Sequence, residues 1–146
     1  MEYIRVTKDN LEKEHICCAI SNNNDVQVSS KKAWLYDRFD EGLVFLKSVE
    51  RGKCFIEYIP AENAWNPISA DGYMYIDCLW VSGSFKGHGY STDLMDACIA
   101  DSKAKGKYGL CILAATKKNP LLADQKYLKH KGFSACGEAD NGIQLW

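Results

Sequence analysis

The chain has no surplus of charge of either sign: 18 Lys and Arg stand against 19 Asp and Glu, for a formal net charge of −1. Duplex nucleic-acid binders normally carry a basic excess, so that class is set aside. No apolar run comes near the roughly 20 residues that a membrane-spanning helix needs. The opening residues MEYIRVTKDN lack the basic and then apolar pattern of a secretory signal. Internal repeats, low-complexity tracts and linkers are missing too. Seven cysteines are present (Cys17, Cys18, Cys54, Cys78, Cys98, Cys111 and Cys136), but no C-x-x-C pair occurs among them. That argues against a structural zinc site, and no metal is expected. An odd cysteine count, mostly inside apolar runs, reads as buried thiols in a reducing, cytoplasmic compartment. The composition is otherwise ordinary, 47% hydrophobic and 25% charged over 146 residues. That is enough for one domain with its own core and too little for two.

Local patterns then set an element order. YIRV (3–6) predicts a strand, and Thr7 an N-cap for a helix through DNLEKEHICCAI. Ser29 or Ser30 caps a second helix through KKAWLYDRF, ending near Gly42. LVFL (43–46) and KCFIEYI (53–59) read as strands joined by the turn SVERGK. MYIDCLWV (74–81) is almost continuously apolar, the pattern of a strand buried on both faces. Leu94, Met95, Cys98 and Ile99 mark one face of a helix over residues 90–105. LCILAAT (110–116) is a further buried strand and LADQKYLKHKGF a short helix. FSACGEA and IQLW make a hairpin around Asn141-Gly142. The expected order is β-α-α-β-β-β-α-β-α-β-β. A meander followed by a βαβ crossover implies an α/β (α+β type) chain. Its sheet is mixed and mostly antiparallel, with a parallel central strand pair and helices on both faces. The apolar Leu145-Trp146 end is unusual for a terminus. Residues 1–146 are therefore expected to be a single domain, either cut from a longer chain or closed by an unusually short strand.

Between the apolar strand and the helix lies CLWVSGSFKGHGYSTDLMDA (78–97), with Gly83, Gly87 and Gly89 around Lys86. The first N–H groups of a helix lack internal partners and sit at the positive end of its dipole, so a glycine loop that exposes them can hold an anion. The stretch allows either such a loop or a plain glycine-rich turn. A dinucleotide fingerprint fails, because Thr92 stands where G-x-G-x-x-G needs its third glycine. A Walker loop fails because His88 stands five residues after Gly83.

The residues do resemble motif A of the GNAT superfamily of N-acetyltransferases. Leu79 and Val81 stand for its L-x-V, Lys86-Gly87-His88-Gly89-Tyr90-Ser91 for its R/Q-G-x-G-x-G/A loop, and Leu94-Met95 for its Leu pair. Asn119-Pro-Leu-Leu-Ala123, Tyr127 and Gly132-Phe133 are similar to the second motif, N-x-x-A…Y…GF. The stretch YIDCLWVSGSFKGHGY looks most like a subgroup carrying a further C-terminal domain. The resemblance implies the acyl-CoA N-acyltransferase fold and acetyl-CoA as co-substrate. The pyrophosphate would lie on backbone N–H groups from Gly87, His88, Gly89, Tyr90 and Ser91 to Thr92. Pantetheine would run along Leu79, Trp80 and Val81, and the thioester would sit where a bulge splays the central strand from its neighbour. Lys86 departs from Arg or Gln and loses their planar fork. Ser91 departs from Gly or Ala.

Transfer to an amine needs a base, an oxyanion donor and an acid for the thiolate. Asp77 is the single charge inside the apolar strand, where burial would raise its proton affinity. Strand alternation puts it on one face with Leu79 and Val81, and Glu57 in the preceding strand is a second candidate. Either carboxylate could equally be a structural one. The family's proton-donating Tyr falls at Leu128 here, with Tyr127 one residue away. Trp34, Tyr36, Phe39 and Trp65 could line an acceptor pocket. Lys117, Lys118 and the run from Lys126 to Lys131 could attract phosphates. The expected partners are acetyl-CoA and an amine acceptor, with no nucleic acid and no membrane, in a monomer or homodimer. The alternative is a non-catalytic acyl-CoA-binding or interaction module of a larger protein.

Overall fold

A meander of short strands forms first along the chain. In the computed structural model, β1 (Tyr3–Val6), β2 (Val44–Ser48), β3 (Cys54–Pro60) and β4 (Met74–Val81) pair antiparallel in sequence order. The structure describes residues 2–14, 26–50, 54–64, 70–82, 85, 87–115, 128–129, 131–135, 137–138 and 143–146. Helix α1 (Val26–Phe39) lies between β1 and β2 in the chain. Helix α2 (Tyr90–Ala104) carries it from β4 to β5 (Leu110–Ala115), which runs parallel to β4. Strands β6 (Gly137–Glu138) and β7 (Ile143–Leu145) complete one seven-stranded sheet in the order β1-β2-β3-β4-β5-β7-β6.

Alternation along the strands sends apolar side chains to both faces. On one face Val44, Ile56, Met74, Ile76 and Ile112 pack against Leu94, Met95 and Cys98 of α2. On the other, Phe45, Phe55, Ile59, Tyr75 and Cys111 pack with Leu35 of α1, and the Phe45 and Phe55 rings stack at 5.0 Å. The expected mixed sheet, central parallel pair and helices on both faces are all present. Among the described residues, no helix is long and apolar enough to cross a membrane.

Three local expectations differ from what forms. Residues 8–14 make turns, not the start of a helix. The Asn10 carboxamide accepts from the Thr7 N–H at 2.7 Å and donates to the Arg5 carbonyl at 3.1 Å. The Asp9 N–H also donates to the Thr7 hydroxyl at 3.3 Å, so these bonds have the pattern of an N-terminal cap, yet the backbone after them stays in turns; residues 15–20 of that expected helix lie outside the described residues. Helix α1 already includes Val26, so Ser29 and Ser30 sit at least one turn inside it and do not cap it. The strand at 74–81 is buried on both faces only at Met74, Tyr75 and Ile76; Asp77 is exposed, and Cys78 to Val81 are half-buried.

Candidate active site

The change along β4 starts at a break in pairing. Against β3 the register runs Val81–Cys54, Trp80–Phe55, Leu79–Ile56 and Cys78–Glu57, then resumes at Ile76–Tyr58. Asp77 is therefore an extra residue, a β-bulge on β4. On its other edge β4 pairs with β5 only through Met74, Tyr75 and Ile76, although β5 runs on to Ala115 and pairs with β7 along its far edge. From Asp77 onward β4 is no longer paired with β5, and the two strands part.

The bulge also resets which side chains share a face. Leu79 and Val81 pack on the α2 side and Cys78 and Trp80 on the α1 side. Asp77 reaches Glu57 through a side-chain hydrogen bond, so it does not share a face with Leu79 and Val81 as simple alternation predicts. The buried carboxyl is Glu57, 1% exposed, in place of the expected Asp77. Burial first, and the hydrogen bond to Asp77 second, push the Glu57 carboxyl up to about 8. Two carboxyls bond to each other only when one of them holds a proton, which the raised Glu57 supplies. Lys31 of α1 opposes the rise, with its ammonium 2.9 Å from Glu57 Oε1 and 4.3 Å from the centre of the Trp34 ring.

At the far end of β4 the chain turns into α2. Gly87 and Gly89 have φ of 81° and 77°, and a Cβ on either would meet nothing within 4 Å. Their requirement for glycine is therefore conformational, which leaves open space over the backbone. Gly89 is the N-cap of α2 and provides no side-chain cap. The exposed His88 ring stacks on Tyr90 at 5.3 Å, and the buried Phe85 meets Tyr90 edge-on at 6.2 Å. Asp93, in the first turn, accepts a hydrogen bond from the Tyr3 hydroxyl at 2.8 Å. Lys131 donates to the Thr92 hydroxyl at 2.8 Å, which brings a cation to the start of α2 from a distant part of the chain.

Asp77 and the β4 residues Leu79, Trp80 and Val81 thus stand where β4 parts from β5, with Glu57 one strand away on β3, and His88, Gly89, Tyr90, Ser91 and Thr92 form the turn beyond. Lys86, Asn119, Tyr127, Trp65, Lys117, Lys118 and Lys126 lie outside the described residues. Leu128 is fully buried in the α2-side core, where it fills space and has no proton to give. A groove of about 740 Å³ beside α2 is lined by Met95, Ile99, Phe133 and Trp146, and neither Glu57 nor Asp77 borders it. Lys31 went unmarked in the sequence. Its signal was spacing, because it stands one helical turn before the core residue Leu35 and so on the sheet-facing stripe.

The profile of the acetyltransferase (GNAT) family matches residues 9–133. The chain is 51% identical over 146 residues to the "Uncharacterized N-acetyltransferase YoaP" of Bacillus subtilis (strain 168), across 99% of this chain and 58% of that relative. It thus spans less than two thirds of the length of that curated relative. Among solved structures, a ribosomal-protein-alanine N-acetyltransferase from Brucella melitensis superposes with a TM-score of 0.63 at 15% identity, covering 99% of this chain and 96% of its own. AAC(6')-Iy, solved with a bisubstrate analog, CoA-S-monomethyl-acetylneamine, superposes with a TM-score of 0.65 at 15% identity, covering 94% of this chain and 93% of its own. At these identities the two structures share the fold with this chain.

Proposed function

This chain belongs to the acetyltransferase (GNAT) family, and from that premise we propose that it transfers an acetyl group from acetyl-CoA to a primary amine of a small molecule or peptide. The observation that carries the reading is the divergence of β4 from β5 at the Asp77 bulge, with the buried Glu57 carboxyl beside it and the α2 turn at the same end of the strand. The residues present suit the co-substrate. The stretch of β4 beyond its last pairing with β5 at Ile76 offers a strand edge to an amide-bearing pantetheine arm, as to an added strand. Gly87, Gly89 and the first turn of α2 offer N–H groups to a pyrophosphate, with Lys131 adjacent. Lys86 and Asn119 complete that set in the proposal.

Glu57 serves as the general base. Its raised proton affinity suits a group that must take a proton from an alkylammonium near neutral pH. Asp77, exposed and hydrogen-bonded to Glu57, hands that proton to solvent. A backbone N–H near Val81 stabilises the oxyanion. Tyr127 is the candidate acid for the departing thiolate. The chain works in the cytoplasm, as one domain of residues 1–146 or as part of a longer protein, monomeric or dimeric.

Acetyl-CoA at millimolar concentration should raise the unfolding temperature, since a ligand of the folded state stabilises it. With a panel of primary amines, chromatography should then detect released coenzyme A, and Glu57→Gln should slow the release by about a hundredfold or more. No thermal shift would sink the donor site. A shift without turnover on any amine would favour a second reading, a coenzyme-binding module without catalysis, which the buried Leu128 at the family's tyrosine position supports.

A further inference from the structure

The amine nearest the candidate base belongs to the chain itself. Lys31 Nζ stands 2.9 Å from Glu57 Oε1, against the face of Trp34. Glu57 is paired across the sheet with Cys78, next to the bulge where β4 leaves β5. The Lys31 side chain is 26% exposed, so it is only partly covered by the core. A primary amine and a carboxyl able to deprotonate it thus stand one strand away from the edge of β4 along which a thioester would lie. A second carboxyl, Asp77, leads from there to solvent.

We propose that Lys31 is a self-acetylation site: in the absence of an acceptor, the chain transfers an acetyl group from acetyl-CoA to Lys31 Nζ. This rests on the reading of Glu57 as base and of the β4 edge as the donor site. Glu57 takes one proton from the ammonium and passes it through Asp77 to water. The neutral amine forms the Nζ–C bond, the C–S bond breaks, and the second proton leaves with the coenzyme as its thiol. The product is a neutral amide, which removes the ammonium beside Glu57. Modification therefore changes the charge beside the base as well as the lysine.

The test incubates the purified chain with acetyl-CoA and no acceptor, then maps acetyl groups by tandem mass spectrometry. Lys31 should be acetylated at least roughly tenfold faster than the exposed Lys103, the modest end of what a positioned base supplies. Glu57→Gln should remove that preference. In Lys31→Arg no lysine should take over the fast phase, while stabilisation by acetyl-CoA persists. Labelling of Lys31 no faster than Lys103, or undiminished in Glu57→Gln, overturns the proposal. If acetyl-CoA still raises the unfolding temperature in that case, self-acetylation alone has failed. If it does not, the donor site has failed with it.

Discussion

Replacing Glu57 with Gln removes a titrating group from the α1-side core while keeping its shape, and the consequence for stability is calculable. In the folded chain the carboxyl is held at about 8, against an ordinary value of 4.5, chiefly by burial. Between those values the folded chain keeps a proton that the unfolded chain has released. The contribution to stability is thus complete below the ordinary value, declines as pH rises through the window, and is gone above about 8. The slope is about 1 kcal/mol per pH unit, a total of a few kcal/mol in a domain whose whole stability is ~5–15 kcal/mol. The substituted carboxamide is neutral at every pH in that range. The stability of the native chain minus that of the variant should therefore fall steadily across the window and flatten above it. Urea denaturation of both chains from about pH 5 to about 9 measures the difference directly, since titrations common to both cancel. Parallel stability curves would refute the assignment of Glu57 as a buried, proton-holding carboxyl. Catalysis should run the other way, rising as Glu57 loses its proton, so that rate and stability trade against each other across the same window.

Lys47 is fully buried on β2 and pairs with Glu14 at 2.9 Å. Its ammonium also donates to the Ser48 carbonyl at 3.2 Å. Glu14→Ala should cost about 2 kcal/mol by removing the carboxylate that balances a buried charge, while Lys47→Met should cost less than about 1 kcal/mol; equal losses in denaturant titration would contradict this. Lys131→Met should weaken acetyl-CoA binding several-fold and flatten its salt dependence, with folding stability changed by no more than about 0.5 kcal/mol. Calorimetry at two ionic strengths would read both, and unchanged affinity would remove Lys131 from the phosphate set.

The periodic segments were legible because each satisfies its own backbone hydrogen bonds in a pattern written locally. MYIDCLWV, the glycines after it and the Leu94–Ile99 stripe announced β4, the turn and α2 within a residue or two. The first expected helix did not form over residues 8–14, although Thr7 and Asn10 exchange the hydrogen bonds of an N-terminal cap, because a cap by itself does not propagate a helix. The starting point of α1 was also missed, because the polar run before Ser29 holds several residues able to begin a helix.

Residue order alone determined the meander, the parallel crossover and the glycine turn, along with the presence of two strand carboxylates near it. Which of those carboxylates is buried was decided by the register between two strands. A single extra residue on β4 turns Asp77 outward, leaves Glu57 opposite Cys78, and releases β4 from β5. Alternation within one strand carries no record of such a slip, because a bulge belongs to the pairing and not to either partner. The same holds for Lys31 and Lys131. Each reads as a surface cation in its own segment, and only chain folding sets one against Glu57 and the other against Thr92.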